Sequence, residues 1–330
     1  MKTRSLNGLP LFLVMILVFG VFFISMPAQF LAPSNLESMA SQLPEFGFLA
    51  LAMMLAMVTG GIDLSIVAVA NLTGVSAALV LTAPSLAARF STGWLIVIAI
   101  GLVLVISALC GLINGLLVTV LRVPAILATL GSQWLFLGLA VIITKGHSVS
   151  GLPDAFGLIG NGSFHGLPLS FLFFLAIAGL AALLLNRTRL GFRMYRVGGN
   201  ALVSRFSGID NDRVILATHV MASVLAGLAS IIMVSRANSM RPGYGEAYLL
   251  QAILVVVLGG TDPLGGKGRI SGLLMAIVVL QASQSGLNIL SFSPFFKKFT
   301  WGLALLVVMV LNYLVAKRAS NHTSRKGALT

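Results

Sequence analysis

The sequence predicts an all-α polytopic membrane protein with about ten transmembrane helices and with its N-terminus and C-terminus in the cytoplasm. Composition is the first observation: 58% of the 330 residues are hydrophobic and 9% are charged, whereas a soluble domain carries about 25% charged residues. The second is a series of apolar runs that approach the roughly 20 residues a spanning helix needs. The third is that basic residues gather between these runs, mostly on one side.

Ten apolar runs follow one another along the chain. The first extends from Leu9 to Ser25, and a cleaved signal peptide is the alternative interpretation for it. We favour a span, because the apolar part exceeds the usual length of roughly 7–15 residues and no clear cleavage site follows. The second and the eighth run are short for a full crossing. The later predicted spans are Phe46–Gly60, Leu64–Thr82, Leu95–Leu121, Pro124–Thr144, Pro168–Leu185, Val214–Val234, Leu249–Gly260, Ile270–Leu290 and Thr300–Ala316.

The positions of lysine and arginine set the predicted orientation, because cytoplasmic segments carry an excess of both. With ten spans and the N-terminus inside, 15 of the 21 basic residues fall inside and six fall outside. Lys2 and Arg4 precede the first span, and the basic tail at residues 317–330 then lies in the cytoplasm. Topology thus accounts for the net charge of +13, and no nucleic-acid partner is predicted.

The longest polar interval, residues 186–213, lies on the predicted cytoplasmic side. It reads NRTRLGFRMYRVGGNALVSRFSGIDNDR and holds six arginines against two aspartates. Because it is long enough to fold into a short amphipathic element, we expect it to contact a cytoplasmic partner. The sequence therefore predicts one transmembrane domain, 1–330, with a first half of about residues 1–145 and a second half of about residues 168–316.

Two glycine-rich breaks interrupt the spans, GGIDLS in the first half and GGTDPLGG in the second. Paired breaks of this kind suggest a weak internal repeat of two halves. The simpler interpretation is that the glycines end one helix and the aspartate caps the next. The functional interpretation, which is compatible with it, is the rigid floor or gate of a channel. The residues concerned are Gly60, Gly61, Asp63, Gly259, Gly260 and Asp262.

The second break differs from a nucleotide-binding loop at both ends. A P-loop reads G-x-x-x-x-G-K-[ST]. Here Thr261 stands in place of the first glycine, and Gly268 stands in place of the final serine or threonine. We therefore expect no ATP site on this chain, so another chain must supply one if ATP drives this protein.

Side-chain chemistry within the spans argues against several other classes of function. No Asp, Glu, Lys or Arg lies well inside an apolar run, although ion-coupled carriers usually need such groups at depth. Neither an H-E-x-x-H nor a G-x-S-x-G motif occurs, so we do not expect an enzyme. Cys110 is the only cysteine, and His147 and His165 lack further ligands nearby, so no metal site is predicted. A self-contained secondary carrier for a neutral solute stays an alternative.

Neutral polar side chains recur at helical spacing within the spans. One interpretation is hydrogen bonding between helices, worth about 0.6 kcal/mol per contact on average. The other is the lining of a path for a hydroxyl-rich solute. Gly111 and Gly115 form a G-x-x-x-G pair that lets helices approach closely. The candidate path residues are Asn71, Asn114, Thr129, Gln133, Gln281, Gln284 and Asn288.

Four motifs follow one another in the chain: GGIDLS at Gly60–Ser65, GLINGLLVTVLRVPAILATLG at Gly111–Gly131, LGFRMYRVGGNALVSRFSGI at Leu190–Ile209 and GGTDPLGGKGRISG at Gly259–Gly272. In this order and spacing they resemble the permease subunit of ribose/galactose-type sugar ATP-binding-cassette (ABC) importers. The resemblance covers nearly the whole chain. That family is related more distantly to branched-chain amino-acid permeases, which supply an alternative.

The resemblance implies a transporter of several subunits in the bacterial inner membrane. Its implied partners are a second permease chain, a cytoplasmic ABC ATPase that binds ATP and Mg, and a periplasmic sugar-binding protein. ATP hydrolysis on the partner would move the basic loop and drive alternating access, so this chain itself carries no cofactor. The resemblance places the ATPase contact on Arg193, Gly198, Gly199, Asn200, Ser204 and Gly208.

The outer loops around Arg236–Glu246 and Lys145–Leu167 would receive the binding protein, with Arg236, Arg241 and Glu246 as candidate contacts. The glycine-rich loop Lys145–Leu167 is expected to be irregular. Alternatively, the two arginines lie at the lipid head groups. The family often has a Glu and an Asp before its second glycine break, where Leu249 and Gln251 stand here. This departure puts a homodimer with the usual substrate in question and leaves a heterodimer with a different permease open. The expected cargo is a monosaccharide or a sugar-like solute.

Overall fold

The computed structural model describes residues 8–327, with side chains described at positions 15, 16 and 19–310. Lys2, Arg4 and the last three residues of the predicted tail lie outside the described residues. The helices are α1 (Gly8–Ser25), α2 (Pro27–Phe30), α3 (Pro33–Val58), α4 (Ile66–Thr82), α5 (Pro84–Ala87), α6 (Thr92–Thr119), α7 (Ala125–Thr144), α8 (Asp154–Asn161), α9 (Leu169–Arg187), α10 (Arg189–Gly199), α11 (Ala201–Phe206), α12 (Asn211–Ala237), α13 (Glu246–Leu258), α14 (Ile270–Ile289) and α15 (Pro294–Gly327). The short strands are β1 (Val149–Ser150), β2 (Ser163–Phe164), β3 (Leu167–Pro168) and β4 (Ser239–Met240).

Six helices of the described part are long and apolar enough to cross a membrane, namely α3, α6, α7, α9, α12 and α14. The apolar helices α4 and α13 have 17 and 13 residues and are shorter. The prediction of an all-α polytopic membrane protein is therefore confirmed. Ten spans, the cytoplasmic position of both termini and the repeat of two halves stay predictions.

The second predicted span begins too late. The sequence places residues 27–45 in an outer loop, because they are more polar than the run that follows, and this prediction is wrong. Helix α3 instead begins at Pro33, at the first helical position, where the missing N–H group of proline has no intrahelical partner to lose. One polar side chain of this segment, Glu45, is buried in the fold.

Helix α3 forms the centre of the fold. Every residue from Leu43 to Val58 is buried, and 89% of the most apolar window of α3 is buried, against 28% in α6, α7 and α9. Helices α4, α12 and α13 pack around α3. The exposed apolar faces of α6, α7 and α9 are available for contact with lipid or with another protein.

Helices α6 and α12 approach each other closely through glycines. A Cβ atom on Gly111 would lie 2.6 Å from the carbonyl oxygen of His219. One on Gly115 would lie 3.1 Å from the Cα atom of Leu216. The close helix contact predicted from the G-x-x-x-G pair is confirmed, because no larger residue fits at either position without movement of α12.

Two antiparallel strand pairs and one short helix order the segments that the sequence predicts to lie outside. Strands β1 and β4 pair, with Val149 opposite Met240, and β2 pairs with β3. The predicted irregular loop between α7 and α9 contains helix α8, which is a correction. The N–H group of Gly160 donates to Ser235 Oγ of α12 at 2.7 Å, and Phe156 is buried. These tertiary contacts order a segment whose glycines favour a loop.

Candidate coupling site

Two short helices, α10 and α11, occupy the basic loop that the sequence predicts to fold. Each begins at a capping side chain. Thr188 Oγ1 accepts the N–H group of Gly191 at 3.1 Å. Asn200 Oδ1 accepts the N–H groups of Leu202 and Val203, both at 3.0 Å. Such caps satisfy groups that the first turn of a helix leaves without partners, so the folded element predicted in this loop is present.

Ser204 braces α11 against the start of α12. Its hydroxyl donates to Asn211 Oδ1 at 2.8 Å, and Asn211 Nδ2 donates to the carbonyl of Ala201 at 2.7 Å. Gly208 has a φ of +76°, a left-handed conformation that glycine adopts without strain, and turns the chain toward α12. These two predicted coupling residues therefore shape the loop, while the charge of Arg193 is exposed.

Both glycine-rich breaks end a helix with the same turn. Gly60 has a φ of +87°, and its N–H group donates to Met57 O at 2.9 Å. Gly260 has a φ of +84° and donates to Val257 O at 3.0 Å. In each break the next residue donates to the carbonyl five positions back, which is the Schellman pattern. The glycines thus end helices as predicted, and the shared turn is compatible with two related halves.

The aspartates of the two breaks, Asp63 and Asp262, differ in their hydrogen-bond partners. Asp63 Oδ1 accepts the N–H group of Ser65 at 2.9 Å, at the entry to α4. Asp262 Oδ1 accepts the N–H group of Leu264 at 3.1 Å, and Asp262 Oδ2 lies 3.3 Å from Lys267 Nζ. The prediction that Asp262 caps the next helix is wrong, because the second break is longer and α14 begins only beyond this loop.

Five glycines bring both breaks and helix α10 into backbone contact, and we call them the glycine junction: Gly60, Gly198, Gly199, Gly265 and Gly266. The N–H group of Gly266 donates to the carbonyl of Val58, at the end of α3, at 2.9 Å. A Cβ atom on Gly198 would overlap that carbonyl and lie 2.6 Å from the Gly266 nitrogen. One on Gly265 would lie 2.7 Å from the Cα atom of Gly60. A Cβ atom has no room at Gly198, Gly265 or Gly266, where these three segments meet.

Tyr195 forms a second link between α10 and the second break. Its hydroxyl donates to the carbonyl of Gly268 at 2.9 Å. Burial raises the pKa of Tyr195, so at neutral pH the phenol keeps the proton that it donates. Together with the glycine junction, this bond ties the basic loop to both breaks, which the sequence analysis treats as separate features.

One family of transport proteins matches most of the chain. The family described as "Branched-chain amino acid transport system / permease component" matches residues 35–311. The chain belongs to this permease family. The ribose import permease protein RbsC of Bacillus subtilis (strain 168) is 35% identical over 86% of this chain and 86% of its own. RbsC of Escherichia coli (strain K12) is 33% identical over 91% and 92%.

A third relative of this permease is the autoinducer 2 import system permease protein LsrD of Salmonella paratyphi B, 31% identical over 80% of this chain and 79% of its own. No solved structure matched the chain. The ribose relatives confirm the predicted resemblance to permeases of sugar importers. With the six apolar helices, they identify a multi-pass membrane protein whose relatives are transport permeases.

Two predicted path residues of the permease hold its first break in place. Asn114 Nδ2 donates to Ser65 Oγ at 2.7 Å, and both side chains are buried. Thr129 Oγ1 accepts the N–H group of Leu64 at 3.1 Å and donates within its own helix to Ala125 O at 2.8 Å. Both residues thus make structural hydrogen bonds from a helix to the first break, which is closer to the first of the two interpretations. Their role in lining a path stays a prediction.

Thr129→Val is expected to lower the free energy of unfolding by about 1–3 kcal/mol, because the Leu64 N–H group loses its partner while side-chain volume hardly changes. Thermal unfolding of the purified permease in detergent measures the effect. Thr119→Val is the matched control, since the buried Thr119 hydroxyl donates only to Gly115 O of its own helix. Equal losses in both variants would show that the contact with the break contributes nothing.

The remaining path residues on α7 and α14 differ in accessibility. Gln281 is buried, Gln133 and Gln284 are half-buried, and Asn288 is exposed beside Lys297, which donates to it. Three predicted path residues, Asn114, Gln281 and Gln284, have a side-chain carbonyl oxygen without a hydrogen-bond partner among the described residues. A buried amide without a partner loses free energy, so these three path residues have hydrogen-bonding capacity left for a solute.

Asn71, the path residue on α4, holds an outer loop. Its Oδ1 atom accepts the N–H group of Tyr244 at 3.0 Å, and its Nδ2 atom donates to the Tyr244 carbonyl at 3.0 Å. This pair of bonds fixes the segment between β4 and α13. In this conformation both functional atoms of the Asn71 amide are therefore occupied by backbone.

A buried ion pair, which the sequence analysis missed, lies where the predicted outer segments meet. Arg236 of α12 pairs with Glu45 of α3, and the Tyr248 hydroxyl donates to Glu45 Oε2 at 2.6 Å. No local pattern reveals this pair, because Glu45 and Arg236 are 191 positions apart. Since Arg236 is engaged within the chain, the exposed charges left in the predicted binding-protein surface are those of Arg241 and Glu246.

Apolar side chains project from the basic loop and from the second break. The exposed fractions are 65% for Leu202, 56% for Val203, 85% for Phe206 and 86% for Leu264. The first three share one face of α11 by their spacing. They are not among the predicted coupling residues, although an apolar residue within a polar, basic loop is a signal for a contact with another protein.

Proposed function

We propose that this chain is the membrane-spanning permease subunit of an ABC importer in the bacterial inner membrane. A separate cytoplasmic ATPase binds ATP and Mg, contacts α10 and α11, and drives alternating access. A periplasmic binding protein delivers the cargo, and a second permease chain, identical or different, completes the path. This chain makes no covalent change to the cargo.

The glycine junction is the observation that carries the proposal. Helix α10 of the basic loop touches the end of α3 and the second break, backbone against backbone, at the glycine junction. Side chains absorb a small displacement by changing rotamer, whereas backbone in direct contact cannot. A movement imposed on α10 from outside is therefore passed to the end of α3 and to both breaks.

A monosaccharide or a sugar-like solute is the proposed cargo. Two relatives are named as ribose import permeases and a third as an autoinducer 2 import permease. The free amide oxygens of Gln281 and Gln284 suit hydroxyl donors. No ionised group is needed to bind such a neutral solute.

Affinity purification of the chain from its own membranes tests the assembly, with mass spectrometry of the proteins that accompany it. An ATPase of the ABC class is expected, and the presence or absence of a second permease separates heterodimer from homodimer. Uptake by the reconstituted complex is then measured with labelled ribose and labelled leucine. Sugar uptake that needs ATP supports the proposal. Uptake by the chain alone without ATP would contradict it in favour of a carrier, and uptake of leucine would identify an amino-acid permease.

Phe206→Ser is expected to remove most of the co-purifying ATPase without lowering the stability of the permease, because the side chain is 85% exposed and makes few contacts within the chain. Phe295→Ser is the matched control: Phe295 is 80% exposed and lies beyond α14, away from the basic loop. Quantitative mass spectrometry of the purified complexes measures the ATPase recovered. Undiminished recovery with Phe206→Ser would remove α11 from the docking surface.

A further inference from the structure

A groove of 420 Å³ separates the last turns of α9 from the first turn of α14. Its apolar part is formed by residues of α9 such as Leu175 and Ala182, together with Leu274 of α14. Gly179 opens the groove, since a Cβ atom there would meet nothing within 4 Å. The groove is therefore an open slot between two helices, lined largely by apolar residues.

The polar end of the groove is strongly basic. Asn186 and Arg269 line that end, and Asn186 also borders a second cavity of 520 Å³ lined by Arg187, Arg189 and Arg193. Within the part of the chain that the structure describes, none of these four arginines pairs with a carboxylate. One cation without a counter-ion thus lies at the mouth of the slot, and three more line the neighbouring cavity that shares Asn186 with it.

We propose that this groove binds an anionic phospholipid, with the phosphate among the arginines and an acyl chain along α9. Leu175 and Asn186 are eleven positions apart, which corresponds to roughly 16 Å along a helix. That length matches about half of the roughly 30 Å hydrocarbon thickness of a bilayer, so the slot is as deep as one leaflet. Basic pockets between membrane helices attract anionic head groups through the same charges.

The position of the groove gives the lipid a consequence for coupling. Arg193 lies on α10, the helix that carries Gly198, and Arg269 lies between the second break and α14. A phosphate bound by both Arg193 and Arg269 links α10 to the first turn of α14, at a place outside the glycine junction. The inference does not depend on the cargo or on ATP, so it is tested by lipid binding rather than by transport.

Native mass spectrometry of the purified permease, titrated with phosphatidylglycerol, measures the binding. Phosphatidylcholine and inorganic phosphate are the comparison ligands. We expect one tightly held phosphatidylglycerol, weaker retention of phosphatidylcholine and no matching retention of phosphate. Equal retention of the two lipids would overturn the proposal, because the arginines then select nothing. Equal retention of phosphate alone would overturn it by showing an anion site without a lipid.

Two variants locate the lipid. Arg269→Glu is expected to weaken phosphatidylglycerol binding at least about fivefold, the effect of one basic residue near a charged head group. Gly179→Leu fills the slot and is expected to weaken it at least as much. The matched controls are Arg89→Glu, an exposed arginine outside the groove, and Gly101→Leu, whose Cβ atom also meets nothing within 4 Å. Wild-type binding in either groove variant, or equal losses in its control, would refute this location.

Discussion

Gly198→Ala is expected to remove most ATP-driven uptake and to lower the free energy of unfolding by about 1–3 kcal/mol, the usual cost of overpacking. Helix propensity alone predicts the opposite sign, because alanine in a helix is favoured over glycine by about 1 kcal/mol. Packing decides here: the new methyl group would overlap the carbonyl of Val58 and lie 2.6 Å from the nitrogen of Gly266. Both obstacles are backbone, so neither can move aside by changing rotamer.

Gly199→Ala is the matched control for this prediction. It adds the same methyl group one residue further along α10, where the nearest atom would be the Cα of Gly266 at 3.9 Å. We expect this variant to keep wild-type uptake and wild-type or slightly higher stability. Uptake by the reconstituted complex and thermal unfolding in detergent measure the two quantities. If Gly198→Ala transports like Gly199→Ala, backbone contact at the glycine junction plays no part in coupling.

Glu45→Gln is expected to destabilise the permease by about 3–5 kcal/mol, because it leaves a poorly solvated guanidinium group without its counter-charge. The side chains of Glu45 and Arg236 are only 4% and 20% exposed. Arg236→Met is expected to cost a similar amount, since it leaves the carboxylate alone. The double variant Glu45→Gln/Arg236→Met is expected to lose clearly less than the sum of the two, because neither charge is then unpaired. Thermal unfolding of the wild type and of all three purified variants provides the four measurements of this double-mutant cycle.

The exposed pair Arg122–Asp212 provides the comparison for this cycle. Its side chains are 60% and 35% exposed, with 2.8 Å between Arg122 Nη2 and Asp212 Oδ2. A pair so open to solvent contributes about 0–1 kcal/mol, so Asp212→Asn is expected to change the stability little. A loss on Glu45→Gln as small as that on Asp212→Asn would show that Glu45 and Arg236 do not stabilise the fold as a pair.

The candidate site could be predicted from the sequence as separate parts but not as one site. The loop at residues 186–213 and both glycine breaks are recognisable locally, since each is a departure from the apolar pattern around it. Gly198 looks like any other helical glycine until its neighbour Val58 is known. Leu202 and Phe206 stand out in the sequence only as apolar residues within a polar loop, and their exposure shows that they are available to a partner.

Composition and charge by themselves determined that this chain is a helical membrane protein, and the resemblance of its four motifs indicated the permease family. The physical reason is that lipid demands long apolar helices and that the glycine breaks are local in sequence. Only the tertiary structure decided which apolar faces are buried, because a side chain that faces lipid is as apolar as one that faces protein. It alone joined Glu45 to Arg236 and Gly198 to Gly266. Contacts between such distant segments depend on how the helices pack, and packing leaves no periodic signal in the sequence.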